Sequence, residues 1–136
     1  MAAVSPAGVS ITHDESDAPQ VFPGQLWSIK GNSASGMVAE FSVNQAFTHV
    51  TQPLAKRDAE LSVQISQTEG PGRWTATQAV DSTSYEQGDE HAVVQVSSDS
   101  FGTAEVDLRV RFLGQATTVL ATGDYSTTVY CTVTLP

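Results

Sequence analysis

Gly123-Asp-Tyr-Ser-Thr-Thr-Val-Tyr-Cys-Thr-Val-Thr-Leu-Pro136 is the C-terminal segment of this 136-residue chain, and it has the pattern of a long β-strand. Side chains of an extended strand point alternately to opposite faces. One predicted face carries Tyr125, Thr127, Val129, Cys131, Val133 and Leu135, and the other carries Ser126, Thr128, Tyr130, Thr132 and Thr134. Most of these residues are β-branched or aromatic, which favours strands. A strand of this length needs a folded sheet to pair with, so the segment predicts an all-β domain.

The same alternation recurs through the rest of the chain. It is clearest over residues 103–112, where the apolar residues Ala104, Val106, Leu108, Val110 and Phe112 alternate with charged ones. A further predicted strand places Trp74, Ala76, Gln78 and Val80 on one face, and a short edge segment is predicted at Val119 and Leu120. No window shows helical periodicity. Together with the Gly, Pro, Asn, Asp and Ser clusters between segments, the pattern predicts an antiparallel two-sheet β-sandwich, immunoglobulin-like in its general architecture, of about 8–10 strands.

The length suits a single domain with one hydrophobic core. Residues 1–24 have few apolar side chains, and we predict an N-terminal arm with at most one short strand, around Val9 and Ile11. Residues 25–136 then form the β-sandwich domain. Apolar residues make up 40% and charged residues 15% of the chain, a balance that argues against a disordered tail or a coiled coil.

The chain is strongly acidic, with 15 Asp and Glu against 6 Lys and Arg and a formal net charge of −9. Such a surface repels nucleic-acid phosphates and anionic lipids, so neither is a predicted partner. No stretch approaches the ~18 apolar residues that a membrane-spanning helix needs, so no membrane insertion is predicted. Protein partners, self-association or a carbohydrate remain as partner classes.

The start of the chain shows no basic segment followed by an apolar one. Met1-Ala2-Ala3 is either a cytosolic start or a start that replaces a removed signal peptide. The Thr- and Ser-rich composition favours the second interpretation, hence a secreted or cell-surface protein. Cys131 is the single cysteine, so no intrachain disulfide forms, and its place in an alternating strand predicts a small buried side chain.

Catalytic chemistry has no clear signature in the sequence. His13, His49 and His91 lie in unrelated contexts without zinc-ligand spacing. No Gly-x-Ser-x-Gly motif is present, and the glycine-rich segment 31–36 lacks the lysine of a phosphate-binding loop. The sequence therefore predicts a protein that is not an enzyme.

The best chemical candidate is the loop from Asp81 to Glu90. Asp81, Glu86, Asp89 and Glu90 offer carboxylate oxygens within ten residues, and such ligands suit calcium. Calcium is thus the one cofactor that the sequence suggests, and the other interpretation is a solvated loop between strands. Tyr85 in this loop, and Trp27 and Trp74 elsewhere, could stack against a sugar, although both tryptophans have apolar same-face neighbours and are predicted to fill the core.

The C-terminal segment, with Gly123 at the fourteenth position from the end and alternating Thr and Val after Tyr125, resembles the last strand of bacterial secreted β-sandwich proteins. The spore-coat-U-like proteins and the chaperone–usher pilins are of this kind. The resemblance implies a bacterial secreted or surface structural domain, and it implies no catalytic residue.

The sequence thus predicts a non-enzymatic, secreted or cell-surface β-sandwich that serves as a structural or adhesive module. A ligand-binding module for carbohydrate or calcium on the same fold is the alternative. A hydrolase with a site assembled across strands is a third hypothesis. Exposed aromatic side chains would favour ligand binding, and a His–carboxylate–hydroxyl cluster in a cleft would favour the hydrolase.

Overall fold

The computed structural model describes residues 2–4, 8–12, 19–113 and 123–136. These residues form thirteen β-strands, one short 3₁₀ helix at Tyr85–Gln87 and no α-helix. The strands are β1 (Ala2–Val4), β2 (Gln20–Val21), β3 (Gln25–Gly31), β4 (Met37–Val43), β5 (Phe47–His49), β6 (Lys56–Arg57), β7 (Ala59–Glu69), β8 (Trp74–Gln78), β9 (Val80–Ser82), β10 (Ala92–Ser98), β11 (Gly102–Phe112), β12 (Tyr125–Ser126) and β13 (Tyr130–Thr134). The all-β prediction is confirmed, with more strands than the sequence suggests, six of them only two or three residues long.

The strands make three antiparallel sheets. The largest has the order β1-β3-β11-β7-β9, and β2 pairs with the far end of β11 on the side of β3. The second has the order β13-β4-β10-β8, and the third is small, with the order β12-β5-β6. Every pairing among the described strands is antiparallel, as predicted.

The two larger sheets share one hydrophobic core. The apolar face of β11 is buried from Ala104 to Phe112, as the alternation predicts. Phe41 on β4 is fully buried opposite, and its ring meets that of Trp27 nearly at right angles, with centroids 5.2 Å apart. Full burial of such side chains stabilises the fold by about 1.5–3 kcal/mol each. The core therefore holds the two sheets together from both inner faces.

The sequence predicts one strand from Trp74 to Val80, but the structure divides this segment into two strands. The chain changes sheet at Ala79, so that β8 belongs to the four-stranded sheet and β9 to the six-stranded one. The backbone N–H of Val63 donates to the carbonyl of Ala79, with an N–O distance of 2.9 Å. Trp74 is buried as predicted, but Val80 is 53% exposed because the change of sheet turns its side chain outward.

The C-terminal segment is interrupted rather than continuous. Residues 127–129 are not in a strand, and they separate β12, which pairs with β5, from β13, which pairs with β4. The two predicted faces are still correct. Tyr125, Cys131 and Val133 pack against the core, whereas Tyr130 faces solvent. Because β13 lies at the edge of its sheet, even its inward side chains are only half-buried.

Cys131 is half-buried rather than fully buried, which corrects the sequence-based prediction. The reason is again the edge position of β13. Burial raises the pKa of its thiol to about 11 by removing water from around the charged form. Since the thiolate is the reactive form, the cysteine is expected to react slowly with thiol reagents near neutral pH.

This raised pKa predicts a pH-dependent stability. The reference pKa is 9.0 and the folded value about 11, so the unfolded chain ionises first as the pH rises. The free energy of unfolding should be unaffected by Cys131 below pH 9 and should decrease between about pH 9 and 11. Urea unfolding across this window measures it. The decline should be shallower in Cys131→Ala, and equal slopes in the two proteins would contradict the prediction.

The N-terminal arm contributes to the six-stranded sheet through two short strands instead of one. β1 pairs with β3, and β2 pairs with β11. Val9 and Ile11 are not in a strand. The predicted edge segment at Val119 and Leu120 lies outside the described residues.

The two ends of the chain lie at the same end of the fold. Ala2 is paired with Lys30 in β3, and Thr134 is paired with Val38 in β4. Lys30 and Val38 flank the connection between β3 and β4, so β1 starts and β13 finishes beside it. The opposite end of β4, at Val43, leads towards the three-stranded sheet.

Candidate functional site

An open groove of about 480 Å³ lies at the end of the fold opposite to the chain ends. It runs between the residues that follow β4 and those that precede β13. Its lining residues are Asn44, Gln45, Thr48, His49, Val50, Pro53, Ser126, Thr127, Thr128 and Tyr130. None of them is Asp, Glu, Lys or Arg, although the whole chain carries 15 acidic residues. The described residues of the groove therefore form a surface without acidic or basic side chains on an acidic protein.

Tyr130 is the aromatic side chain most accessible in this groove. It is the first residue of β13, is paired with Ser42 of β4, and is 52% exposed. Its strand face is the outer one, as the period-two pattern predicts. An exposed aromatic ring provides a flat apolar surface with a polar hydroxyl at its edge.

Hydrogen bonds fix the wall of the groove next to β5. The side-chain amide of Gln45 donates to the hydroxyl of Thr48 at 2.8 Å, and that hydroxyl donates to the carbonyl of Ala46 at 3.0 Å. From the other wall, the hydroxyl of Thr127 donates to the carbonyl of Gln45 at 2.6 Å. The first two bonds stiffen one wall, and the bond from Thr127 ties the two walls to each other.

Other polar groups of the lining keep their hydrogen-bonding capacity. The hydroxyls of Ser126, Thr128 and Tyr130 have no hydrogen-bond partner within the described parts of the chain. The side-chain oxygen of Asn44 contacts a ring nitrogen of His91 at 3.1 Å, which leaves the amide nitrogen of Asn44 for other contacts. The groove thus offers donors and acceptors beside an aromatic ring.

The loop between β5 and β6, residues 50–55, is built around His49. The ring atom Nδ1 of His49 accepts hydrogen bonds from the backbone N–H groups of Thr51 and Gln52, both at 3.1 Å. The N–H of Ala55 donates to the carbonyl of Gln52 at 2.8 Å and closes a turn. Two donors at Nδ1 place the ring proton of the neutral histidine on Nε2.

This β5–β6 loop presents apolar side chains to solvent. Leu54 is 96% exposed and Val50 is 60% exposed, while His49 beneath them is 5% exposed. Val50 and Pro53 line the groove, and Leu54 follows directly. A buried histidine therefore holds an apolar loop tip beside the groove.

Gly123 is explained by its contact with His49. Its φ is +138°, a conformation that side-chain-bearing residues rarely adopt, and an added Cβ would lie 2.2 Å from Nε2 of His49. The ring of Tyr125 packs edge-on against the same imidazole, with centroids 5.2 Å apart. The glycine that stands out in the sequence thus allows the chain to pass close to the histidine that shapes the loop.

The four residues predicted to bind calcium have different surroundings in the loop from Asp81 to Glu90. Asp81 uses one carboxylate oxygen to accept from the N–H of Ser82 and the other to accept from the N–H of Val93, both at 2.9 Å. Glu86 is exposed in the 3₁₀ helix. In the described ranges, no three His, Cys, Asp or Glu side chains form a group that could hold a metal ion. Calcium binding by this loop stays a prediction.

Asp89 and Glu90, at the end of the same loop, have protein partners as well. Asp89 accepts from the N–H of His91 at 3.1 Å. One carboxylate oxygen of Glu90 accepts from the ammonium group of Lys56 at 2.6 Å and from the N–H of Ala46 at 3.2 Å. Glu90 therefore supports the segment that forms the groove wall, a role that sequence reasoning missed because its partners are distant in the chain.

The remaining candidate residues have separate places. Trp27 and Trp74 are buried, which confirms their predicted place in the core. Tyr85 is half-buried in the 3₁₀ helix, away from the groove lining. Of the histidines, His49 is buried, His91 is exposed, and His13 lies outside the described residues.

Comparisons with protein-family models, with curated proteins and with solved structures found no match for this chain. Within the part of the chain that the structure describes, no helix is long and apolar enough to cross a membrane.

Proposed function

We propose that the chain is a non-enzymatic β-sandwich module, immunoglobulin-like or pilin-like in kind, that is secreted or displayed at a bacterial cell surface and acts by structural or adhesive contact. The observation that carries this proposal is Leu54, 96% exposed at the tip of a hydrogen-bonded loop beside an open groove. A module of this kind needs a preformed contact surface, and the β5–β6 loop supplies one.

The apolar residues at this end form a group rather than scattered exceptions. A single exposed leucine is ordinary on a protein surface. Here Val50, Pro53 and Tyr130 line one groove, and Leu54 follows directly after Pro53. Burying a leucine side chain in a complex contributes about 1.5–3 kcal/mol. Because His49 already fixes the loop, little conformational entropy remains to be lost on binding.

The position of the chain ends supports the same proposal. β1 starts and β13 finishes beside the β3–β4 connection, and the groove lies about 13 Å further along β13, at a rise of about 3.3 Å per residue from Thr134 to Tyr130. A chain attached through either terminus would present the groove away from its attachment. This orientation suits an adhesive or structural module.

The test compares two exposed leucines at opposite ends of the fold. The chain, tethered through its C-terminus to beads, is measured for retention on gelatin, on cross-linked polysaccharide and on beads that carry the chain itself. We expect retention on at least one surface and a loss of about tenfold in Leu54→Ser, the equivalent of ~1.4 kcal/mol. Leu135→Ser, which removes a leucine 56% exposed near the chain end, is the matched control and should change little.

Two results would overturn the proposal. One is that none of the three surfaces retains the chain. The other is that Leu54→Ser and Leu135→Ser behave alike, since the β5–β6 loop would then have no special role. Ligand binding is the second candidate function, and the polar lining of the groove with its exposed tyrosine is the observation that favours it.

A further inference from the structure

We propose that the groove binds a neutral saccharide, with a sugar ring stacked on Tyr130 and its hydroxyls hydrogen-bonded to the surrounding amide and hydroxyl side chains. This inference rests on the second candidate function given above, ligand binding at the groove, and it names the class of ligand.

The charge distribution selects a neutral ligand. The chain has a formal charge of −9, which disfavours anionic ligands such as phosphorylated or uronic-acid polymers. A metal cation favours carboxylate ligands, and none of the described residues that line the groove is Asp or Glu. Uncharged ligands with many hydroxyl groups meet neither obstacle.

The side chains match the two surfaces of a sugar ring. A pyranose presents an apolar C–H face and a rim of hydroxyl groups. The half-exposed ring of Tyr130 provides an apolar platform for the first. The hydroxyls of Ser126 and Thr128 and the amide nitrogen of Asn44, which have no other hydrogen-bond partner in the described structure, can bond to the second.

The groove has the size and the stiffness of a binding site. Its volume of about 480 Å³ falls within the range of about 300–1,000 Å³ that is usual for ligand sites. Gln45, Thr48 and Thr127 are hydrogen-bonded to each other or to nearby backbone, and Glu90 and His91 support the wall from behind. A groove whose walls are held before binding needs less rearrangement when the ligand arrives.

The experiment titrates the intact chain with soluble neutral oligosaccharides. Tetrasaccharides of β-1,4-glucose, β-1,4-N-acetylglucosamine, α-1,4-glucose and β-1,4-mannose are tested by calorimetry, together with an anionic tetragalacturonate. We expect millimolar or tighter binding of at least one neutral sugar and none of the anionic one. Tyr130→Ala should weaken binding at least tenfold, and Tyr130→Phe, which keeps the platform, should weaken it only a few-fold.

Phe101→Ala is the matched control, because Phe101 is an aromatic residue 48% exposed that is not among the lining residues of the groove. It should leave the affinity unchanged. Failure of every neutral sugar to bind, equal affinities of Tyr130→Ala and the unaltered chain, or preference for the anionic sugar would each overturn the saccharide proposal.

The outcomes separate this inference from the proposed function. Leu54-dependent retention on gelatin without any sugar binding would keep the adhesive module and discard the saccharide. Tyr130-dependent sugar binding by a chain that no surface retains would keep the saccharide site and discard the adhesive role.

Discussion

Replacing Phe41 by alanine should lower the free energy of unfolding by about 3–5 kcal/mol, the usual cost of truncating a buried phenylalanine. Phe41 is fully buried between the two larger sheets, paired with Val94 on one side and Cys131 on the other. Its ring also meets that of Trp27 edge-on. The substitution would remove contacts on every side and leave a cavity, because the flanking strands are hydrogen-bonded and cannot close over it.

Urea unfolding followed by tryptophan fluorescence measures this effect, and the emission of Trp27 should also shift in the folded variant. A domain of this size has a total stability of about 5–15 kcal/mol, so the variant should stay folded or become marginal. Phe101→Ala is the control, since Phe101 is 48% exposed in a turn, and it should cost only about 1 kcal/mol. Similar losses in the two variants would show that the core is placed wrongly.

Replacing Gly36 by alanine should cost about 3 kcal/mol, the sum of backbone strain and a steric overlap. Gly36 has a φ of +85°, and an added Cβ would lie 2.0 Å from the carbonyl oxygen of Ser98. That oxygen belongs to the backbone at the end of β10, where the N–H of Met37 also bonds to the Ser98 hydroxyl at 3.2 Å. The added Cβ and the carbonyl oxygen of Ser98 are both fixed to the backbone, so neither atom can rotate away. The β3–β4 connection must therefore move.

Gly88→Ala separates the two contributions. Gly88 has a similar φ of +78°, but nothing lies within 4 Å of an added Cβ. It should cost only the strain of the left-handed conformation, about 1–2 kcal/mol. The difference between the two variants in chemical denaturation then measures the overlap at Ser98. A Gly36→Ala protein as stable as Gly88→Ala would contradict the described packing of the loop on β10.

The sequence predicts the structure most accurately in segments where apolar and polar residues alternate without interruption. Residues 103–112 alternate without exception, and β11 buries the predicted face and pairs with strands on both sides. Trp27 and Trp74 were predictable as core residues because their same-face neighbours are apolar. In such segments the burial of one face decides the structure, and the sequence shows that face directly.

Sequence reasoning is weaker where the chain passes from one sheet to another. Nothing in the local pattern marks Ala79 as the crossing point, so the alternation predicts the wrong face for Val80. The groove was not predictable for a related reason: it depends on contacts between segments that are distant in the sequence. Its walls come from segments near Asn44 and Thr127 that are more than 80 residues apart, and the pairings of β13 with β4 and of β12 with β5 bring them together.

The acidic loop shows a related difficulty. Four carboxylates in ten residues suggest a cation, but a sequence cannot show which of them meet protein donors. Asp81 bonds to the N–H of Val93, and Glu90 pairs with Lys56, which is 34 residues away. An Asp or Glu that accepts hydrogen bonds from backbone N–H groups cannot be told in the sequence from one that binds a metal. The two are distinguished only by the groups that the fold brings next to them.

The pairing of β13 with β4 also determines how the molecule responds to tension. If a ligand pulls on the groove while the C-terminus is held, the force runs parallel to these two strands. Force on Tyr130 passes through the covalent backbone of β13 to Thr134. Force on Asn44 passes into β4 and reaches β13 through the hydrogen bonds between the two strands. Those bonds are then strained in shear and share the force, rather than opening one after another as in a zipper.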